Sequence, residues 1–338
     1  MSEDRTTYFT FCDANFFPGL VALVNSLAVT GNRGRIVVLD GGLTPAQRAT
    51  LAPHVDFFAM PDRYAADPVL SKPFARLVEP DGVAVIIDSD MIVTRNLGEL
   101  IAAARDEGRI CLFSDFQADR NRWFAEWEQV FELSRPPRHQ PYLNAGFVLF
   151  DTRHHPDFLP RWWHGCERIP LDKTRARAPD AYDQPFWDGD QDVMNAVLMS
   201  EVPAEVIQEL PQAAAPTSDR LMWVRVKDLR TLACEVRGVP TVLLHMTGGP
   251  KPWHEAAWLR VRRNGYVQLL PRVLFGEDVP IRLDPEDLPV WLRPGPRGAV
   301  ALRALSALNG SARQVVRRAP APVYARLRTL RGRLAGAR

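Results

Sequence analysis

Short apolar runs alternate with amphipathic stretches along the first half of the chain. Apolar runs rich in β-branched residues predict buried strands at Tyr8–Cys12, Ile36–Leu39, Val55–Met60, Val83–Ile87, Ile110–Phe113 and Leu143–Phe150. Apolar positions three and four residues apart predict helices at Pro18–Val29, Val69–Leu77 and Leu97–Arg105, and Thr44 caps a further short helix that Pro45 opens. This alternation predicts an α/β fold with a mostly parallel sheet flanked by helices.

The second half of the chain is less regular. Its periodicity predicts helices at Trp123–Leu133, Phe158–Glu167, Gln191–Met199 and 255–275, and a late strand at Val239–Met246. Residues Pro280–Pro296 form a proline-rich connector, and 298–338 predict two helical stretches separated by Pro320 and Pro322. We therefore predict one large domain over residues 1–278, followed by a connector and a basic helical extension over 279–338.

Charge is distributed unevenly along the chain. Residues 293–338 contain 11 arginines with no lysine and no acid, so that a net charge of +2 for the whole chain leaves −9 on residues 1–292. An acidic body argues against nucleic acid as the main partner. The basic tail has two interpretations: an amphipathic anchor attracted to anionic lipid on the inner face of the membrane, or a solvated extension.

Several features predict a cytoplasmic protein. No stretch of about 18 apolar residues is present, and the acidic start of the chain is not typical of a signal peptide. The four cysteines are far apart and form neither a metal-binding spacing nor a disulfide framework, which predicts buried free thiols in a reducing compartment. Arginine outnumbers lysine 38 to 4, a coding bias that favours a bacterial origin.

The first candidate for chemistry is the segment Asp88-Ser89-Asp90, directly after the predicted strand Val83–Ile87. Open α/β sheets bind ligands at the carboxyl ends of their strands. Two carboxylates at such a position are suited to hold a divalent cation that in turn holds phosphate oxygens. The alternative is a turn with two solvated acids.

Two polar segments accompany other strands. Asp13 and Asn15 follow the first strand, where they could hydrogen-bond a base or a ribose or simply form a turn. Asn144 opens a later strand and is followed by Ala145 and Gly146, which allow a ligand to approach closely. The alternative for Asn144 is a turn that leads into the strand.

Two further segments complete the set. The segment 188–195, Asp-Gly-Asp-Gln-Asp-Val-Met-Asn, opens a helix; its acids either contact a ligand or favour the helix dipole, with Asp190 as the N-cap. His245, a candidate metal ligand, lies in the predicted late strand Val239–Met246. Gly248 and Lys251 follow it, and they offer backbone amides and a positive charge to an anion.

Taken in order, these segments resemble glycosyltransferase family 8, a family of retaining enzymes. The resemblance covers about residues 6–275 and rests on the Asp-X-Asp, the Asn-Ala-Gly, the Asp-Gln-Asp helix start and His-X-X-Gly-X-X-Lys-Pro-Trp. It implies a GT-A type fold over 1–278, Rossmann-like with a mixed, mostly parallel sheet. It also implies transfer of a hexose from a UDP-sugar to a saccharide, a glycolipid or another hydroxyl acceptor.

The resemblance also implies roles for individual residues. Asp88, Asp90 and His245 would hold Mn²⁺, or alternatively Mg²⁺. The residues that would contact the uridine diphosphate are Phe11, Asp13, Asn15, Lys72, Ser89, Gly248 and Lys251. The residues that would contact the donor sugar and the acceptor are Asn144, Asp190 and Gln191. An amide is a poor nucleophile, so front-face retention with a diphosphate oxygen as the base is favoured over a covalent intermediate.

Other interpretations stay open at this stage. The chain could be a non-catalytic protein that binds sugar nucleotides. It could also be a phosphatase of the haloacid dehalogenase type, with Asp88 as nucleophile and Asp90 as acid and base, although that class carries the motif on its first strand. Trp123 and Trp127 lie where acceptor contacts are expected, and they either stack on sugar rings or anchor the core.

Overall fold

A seven-stranded mixed sheet forms the centre of the molecule. The computed structural model describes residues 6–61, 70–115, 122–174 and 183–318. The strands of the central sheet are β1 (Thr6–Cys12), β2 (Arg35–Asp40), β3 (Asp56–Ala59), β4 (Val83–Ile87), β6 (Ile110–Ser114), β7 (Leu143–Asp151) and β8 (Ile207–Leu210). They lie in the order β3-β2-β1-β4-β7-β6-β8.

Most neighbours in this sheet are parallel. Strands β3, β2, β1 and β4 run in one direction, and β6 pairs in parallel with β8. Strand β7 is antiparallel to both of its neighbours, β4 and β6. The predicted mixed, mostly parallel α/β sheet is therefore confirmed. The carboxyl ends of β1, β4 and β6 consequently lie at one edge, next to the amino end of β7.

Helices cover both faces of the sheet. Their bounds are α1 (Phe17–Val29), α2 (Pro45–Leu51), α3 (Gly98–Glu107), α4 (Glu126–Val130), α5 (Phe158–Cys166), α6 (Asp190–Ser200), α7 (Gly265–Phe275) and α8 (Pro296–Arg318). Alternate residues of β4 point to opposite faces. Ala84 and Ile86 pack with α5 and α6, whereas Val83, Val85 and Ile87 pack with α1 and α3. Burial on both faces explains why all five residues of β4 are apolar.

Two small sheets lie beside the central one. Strand β5 (Met91–Val93) pairs in an antiparallel manner with β12 (Leu243–His245), and His245 lies opposite Met91. Strands β9 (Val224–Asp228), β10 (Ala233–Val236) and β11 (Val239–Pro240) form an antiparallel sheet. The β5–β12 pair matters most for the site, because it brings the late His245 next to the turn that contains Asp90.

Four predicted elements are shorter or interrupted in the structure. The predicted strand Val239–Met246 is divided into β11 and β12 after Pro240, which has no N–H group to donate. The predicted helix over 255–275 is a 3₁₀ turn, Glu255–Leu259, and then α7, which Asn264 caps by accepting from the Val267 N–H at 2.9 Å.

The helix predicted at Val69–Leu77 is a 3₁₀ helix, Lys72–Val78, and residue 69 lies outside the described part. The helix predicted at Trp123–Leu133 is reduced to α4, Glu126–Val130, in which Trp127 is buried in the core.

The segment after α7 packs on the core. Asn25 of α1 is fully buried; its Nδ2 donates to the carbonyls of Val273 and Ile281, both at 2.6 Å, and its Oδ1 accepts from the Ile281 N–H at 3.0 Å. Trp291 is buried as well, and its Nε1 donates to the Pro252 carbonyl at 2.8 Å. The proline-rich connector thus ties α1, α7 and the 250s segment together. The division at residue 278 stays a prediction.

The extension begins with α8, and its second predicted helical stretch, with Pro320 and Pro322, lies outside the described residues. None of the helices in the described ranges is long and apolar enough to cross a membrane. All four cysteines are buried and unbridged.

Candidate functional site

Asp88, Asp90 and His245 meet at the carboxyl end of β4. One ligand atom from each of the three residues lies within 4.8 Å of the others. The Nε2 atom of His245 is 3.4 Å from Asp88 Oδ2 and 3.2 Å from Asp90 Oδ1. The three residues that were predicted to bind metal are therefore adjacent, although 154 residues separate Asp90 from His245 along the chain.

The backbone around the cluster fixes these positions. The Asp88 N–H donates to the Gly146 carbonyl at 2.8 Å, and the Met91 N–H closes the turn on the Asp88 carbonyl at 3.1 Å. Gly146 has no room for a side chain: a Cβ there would lie 2.7 Å from His245 Cε1 and 2.8 Å from Asn144 Oδ1. The glycine of the Asn-Ala-Gly segment is thus what allows the imidazole to reach the carboxylates.

Two lysines enter the same site. Lys72 Nζ lies 3.3 Å from Asp88 Oδ1 and 3.3 Å from Asp190 Oδ2. Lys251 Nζ donates to Asp90 Oδ2 at 2.5 Å and to the Met246 carbonyl at 2.5 Å. The side chains of Asp90 and Lys251 are only 8% and 5% exposed, so this ion pair is largely removed from water. Both lysines that were predicted to contact a diphosphate therefore border the predicted metal site.

The mutual electrostatics shift the pKa values of the cluster. Burial alone would raise the pKa of the Asp88 carboxyl, but Lys72 and His245 lower it below its ordinary value. Burial opposes the charge on Asp90 in the same way, and Lys251 and His245 again lower its pKa. Burial would lower the pKa of His245, yet Asp90 and Asp88 raise it to about 9. In the metal-free protein the two carboxylates are therefore ionised at neutral pH and the imidazole carries a proton.

The donor set suits a hard divalent cation. Two carboxylates and one imidazole are a combination that Mn²⁺ and Mg²⁺ accept, with Mn²⁺ favoured by the nitrogen ligand. Asp90 Oδ1 is buried and, apart from its ion pair with His245 Nε2 at 3.2 Å, accepts no hydrogen bond from the described residues. A cation that contacts this buried carboxylate oxygen would offset the cost of removing its charge from water. The residues present thus fit a metal ion that replaces the proton of His245.

A polar network lies beside the cluster, at the amino end of β7. Asn144 Nδ2 donates to Asp115 Oδ2 at 3.1 Å and to Gln191 Oε1 at 3.2 Å, and Gln191 Nε2 donates to the same Asp115 oxygen at 3.0 Å. The Ala145 N–H also donates to Gln191 Oε1, at 3.0 Å. The predicted sugar-contacting residues Asn144 and Gln191 therefore hold each other in place through Asp115.

Asp115 is a site residue that the sequence reasoning missed. It is buried and follows β6 directly, at the same edge of the sheet as Asp88. Its only signal in the sequence was an acid at the end of the predicted strand Ile110–Phe113. A single acid after a strand is also a common turn residue, so the pattern alone could not distinguish the two roles.

The two acids at the start of α6, Asp190 and Asp192, have different surroundings. Asp190 is the first residue of α6, and the N-cap is Gly189, so the N-cap interpretation of Asp190 is wrong. Asp190 is buried and faces Lys72. Asp192 instead points into the framework, where Arg122 forms a bidentate pair with it at 3.0 and 2.9 Å.

Asn195 also belongs to the framework. Its Oδ1 accepts from the Leu143 N–H and its Nδ2 donates to the Leu143 carbonyl, both at 2.8 Å. This pair of hydrogen bonds fastens α6 to the first residue of β7. As a result, Gln191 on α6 and Asn144 on β7 are held in a constant register.

The predicted uridine contacts lie at the end of β1. Asp13 Oδ1 accepts from the N–H groups of Asn15 at 2.9 Å and Phe16 at 3.0 Å, so this carboxylate shapes the turn. Asn15 is exposed, Phe11 is partly buried against Gly41, and Ser89 is buried. Their contact with a nucleotide stays a prediction.

The remaining predicted elements differ in exposure. Gly248 is exposed on the loop after β12 and has a φ of +72°, a conformation that favours glycine. Trp127 is fully buried and donates to the Pro185 carbonyl at 2.6 Å, which makes it a core anchor. Trp123 is partly buried and stacks on His139, with ring centroids 4.3 Å apart.

Comparison with known proteins identifies the fold. No protein-family model and no curated protein matches the chain. Among solved structures, the bifunctional glycosyltransferase WbbM in its apo form superposes with a TM-score of 0.51 at 17% identity, over 82% of this chain and 50% of that chain. The chain thus spans about half the length of the WbbM chain. At this identity the similarity shows the fold, which is of the GT-A type found in glycosyltransferases, as predicted.

Two other solved structures superpose with lower TM-scores. The galactosyltransferase LgtC in complex with donor and acceptor sugar analogs has a TM-score of 0.45 at 19% identity, over 74% of this chain and 90% of that chain. Mouse xyloside xylosyltransferase 1 in its apo form has a TM-score of 0.43 at 14% identity, over 73% of this chain and 99% of that chain.

Proposed function

We propose that this chain is a divalent-cation-dependent retaining glycosyltransferase, which transfers a hexose from a UDP-sugar to a hydroxyl group of a saccharide, a glycolipid or another acceptor. One observation supports the proposal above all. Asp88, Asp90 and His245 form a cluster at the carboxyl end of β4, in a GT-A type sheet. Lys72 and Lys251 form ion pairs with the two carboxylates of this cluster. The superposition on WbbM supports the GT-A type fold that this function requires.

The charge balance of the site suits a diphosphate. Asp88, Asp90 and His245 would hold Mn²⁺, or alternatively Mg²⁺, and the bound cation would neutralise charge on the leaving diphosphate. Lys72 and Lys251 already lie in contact with the two carboxylates. A cation that pairs with these carboxylates would leave both ammonium groups available to the phosphate oxygens. Gly248, on the exposed loop next to Lys251, would let its backbone N–H approach the same phosphates.

The nucleotide would lie along the ends of β1 and β4. Phe11 offers a ring, and Asp13 and Asn15 offer polar groups to a uracil and a ribose, while Ser89 lies between the two carboxylates. Because Asp13 Oδ1 already accepts two backbone N–H groups, the carboxylate is held in one orientation. The choice of UDP over other nucleotides rests on the family resemblance.

The sugar side of the site favours front-face retention. Gln191 is an amide and cannot act as an effective nucleophile. Asp190 is buried and lies 3.3 Å from Lys72, a pairing that lowers the reactivity of a carboxylate. The bond between the sugar C1 and the diphosphate would break, and the acceptor oxygen would bond C1 on the same face. The acceptor proton would pass to the departing diphosphate oxygen. Asn144 and Gln191 would orient the sugar hydroxyls. A covalent sugar adduct trapped on Asp190 would refute this mechanism.

The phosphatase alternative has little support in the structure. Asp88 directly follows the fourth strand of the chain, not the first, and contacts Lys72 and His245. A second alternative, a protein that only binds sugar nucleotides, differs in one observable property: it releases no UDP.

A donor screen tests the proposed activity. The purified protein is incubated with UDP-glucose, UDP-galactose and other UDP-hexoses with Mn²⁺, and UDP release is measured with and without a chelator. We expect release from at least one donor, abolished by the chelator and in Asp90→Asn, and retained in Asp106→Asn, whose exposed carboxylate pairs with Arg105 at 2.8 Å away from the site. Phosphate release from a phosphomonoester, or no UDP from any donor, would contradict the proposal.

We also propose that the basic extension brings the protein to the inner face of an anionic membrane, close to lipid-linked acceptors. The support is the run of 11 arginines without an acid in residues 293–338. Sedimentation with anionic vesicles tests this: a chain that ends near Pro294 should bind less than the full chain, and equal binding would refute the proposal.

A further inference from the structure

A cavity lies away from the carboxylate cluster, between β9, α7 and α8. Its volume is about 550 Å³, within the range of about 300–1,000 Å³ that small-molecule sites occupy. Val267 and Pro271 of α7 and Leu302 of α8 contribute apolar walls. None of the residues assigned to the candidate active site lines it, so its ligand would be bound independently of the proposed transfer reaction.

Three arginines line this cavity: Arg263, Arg293 and Arg303. Arg293 is held in position, because its Nε donates to the Leu288 carbonyl at 2.9 Å and its Nη1 lies 2.5 Å from Glu286 Oε2. Arg263 and Arg303 are exposed. Arg263 Nη2 donates to Gln268 Oε1 at 3.4 Å, and no carboxylate of the described residues forms an ion pair with either arginine. Two guanidinium groups are therefore available to an anion.

One acid, Asp228, also lines the cavity and offsets one of its positive charges. Asp228 Oδ1 accepts from the Arg230 N–H at 2.8 Å, and its Oδ2 accepts from the Thr231 hydroxyl at 2.9 Å. Its two oxygens thus form part of the turn after β9, and these hydrogen bonds lower the pKa of the carboxyl, which keeps its negative charge. Four basic side chains, those of Lys227 and the three arginines, line the cavity together with this one acid, so the lining carries a net positive charge that attracts anions.

The arginines are carried by segments that are fastened to one another. The Arg263 N–H donates to the Ser306 hydroxyl of α8 at 2.7 Å. Asn309 of α8 donates to the carbonyls of Trp258 at 2.9 Å and Val261 at 2.8 Å, next to Arg263 in the chain. The backbones that position Arg263 and Arg303 are therefore held at a constant separation, which lowers the entropy cost of binding a ligand between them.

We propose that this cavity binds a phosphate group. Guanidinium groups form charge-assisted, bidentate hydrogen bonds with phosphate oxygens, and arginine suits partly buried phosphate sites better than lysine does. The apolar walls beside the arginines match the chain of a phosphate ester. The phosphate belongs either to a lipid headgroup or to a free soluble anion, and the two sources differ in whether those walls contribute to affinity.

Calorimetric titration with two probes tests the proposal. Inorganic pyrophosphate and short-chain phosphatidic acid, the latter below its micelle concentration, are titrated into the full chain in the presence of a chelator. We expect both to bind the wild type and to bind the double variant Arg263→Gln/Arg303→Gln about 100-fold more weakly, about tenfold for each arginine. The matched control is Arg225→Gln, an exposed arginine of β9 that does not line the cavity.

Lys251→Gln separates this cavity from the candidate active site. It removes an ammonium group that could hold a phosphate there, and it should leave binding of both probes unchanged because Lys251 does not line the cavity. Tighter binding of the phosphatidic acid would identify a lipid phosphate as the ligand, and equal binding would identify a soluble phosphate; both results support the site. No binding of either probe, or equal affinity of the wild type and the double arginine variant, would overturn the proposal.

Discussion

Gly146 packs directly against His245, a candidate metal ligand, and the substitution Gly146→Ala probes this contact. A Cβ at this position would lie 2.7 Å from His245 Cε1, 2.7 Å from Met91 Cε and 2.8 Å from Asn144 Oδ1. These separations are far below van der Waals contact. The methyl end of Met91 can rotate away, but the imidazole of His245 is 6% exposed and closely enclosed. The alanine therefore displaces the imidazole from the two carboxylates.

The expected cost has two parts. Insertion of one methyl group into a packed interior costs about 1–3 kcal/mol of unfolding free energy. Displacement of one ligand of three should weaken Mn²⁺ binding at least tenfold, which corresponds to about 1.4 kcal/mol. Chemical unfolding measures the first quantity, and calorimetric titration with Mn²⁺ measures the second.

The matched control is Gly310→Ala. A Cβ at Gly310 meets no heavy atom within 4 Å, and the residue lies in α8 away from the site. Replacement of an unstrained helical glycine should stabilise the protein by about 0.5–1 kcal/mol and leave Mn²⁺ binding unchanged. If Gly146→Ala retained both the stability and the Mn²⁺ affinity of the wild type, the described packing of His245 against the Asn-Ala-Gly segment would be refuted.

Two further predictions follow from buried polar groups. Asn25→Ala should lower the unfolding free energy by about 3 kcal/mol or more, since it leaves backbone groups of Val273 and Ile281 without partners; a loss under about 1 kcal/mol in chemical unfolding would contradict this. The folded-state pKa of His245, about 9, lies above the ordinary value of 6.5, so its stabilising effect in the metal-free protein is complete below pH 6.5 and is lost as the pH rises towards 9. Mn²⁺ competes with this proton, so the thermal shift that Mn²⁺ produces should grow between pH 6.5 and 8.5, and a shift that is constant over this range would contradict direct ligation by the imidazole.

Much of the first half of the fold could be predicted from the sequence. Strand β4 has the bounds that its apolar run predicts, because a strand buried on both faces tolerates only apolar residues. Strands β9 and β10 were missed. Apolar and polar residues alternate in β9, Val-Arg-Val-Lys-Asp, but over four positions only, and β10, Ala-Cys-Glu-Val, is too short to show a period. Strand β5 was missed because three apolar residues after a turn carry no pattern of their own.

The candidate site was predicted as a set of residues and only partly as an arrangement. The Asp-X-Asp position and the late His245 were predicted to meet, and the β5–β12 pair brings them together. The different orientations of Gln191 and Asp192 could not be predicted, because neighbouring residues on a helix point in directions about 100° apart and only the packing decides which one faces the ligand. The contact of Asp115 with Asn144 could not be predicted either, because it depends on the pairing of β6 with β7, two strands that are distant in the sequence.

The most direct test of the central claim is the binding of Mn²⁺ and UDP to the same protein. Titration of Mn²⁺, followed by electron paramagnetic resonance, is carried out with and without UDP on the wild type and on Asp90→Asn. If Asp88, Asp90 and His245 form a cation site that holds a nucleotide diphosphate, UDP should tighten Mn²⁺ binding to the wild type about tenfold or more, and Asp90→Asn should lose this effect while it keeps its fold. Mn²⁺ binding that is indifferent to UDP, or unchanged in Asp90→Asn, would contradict the claim.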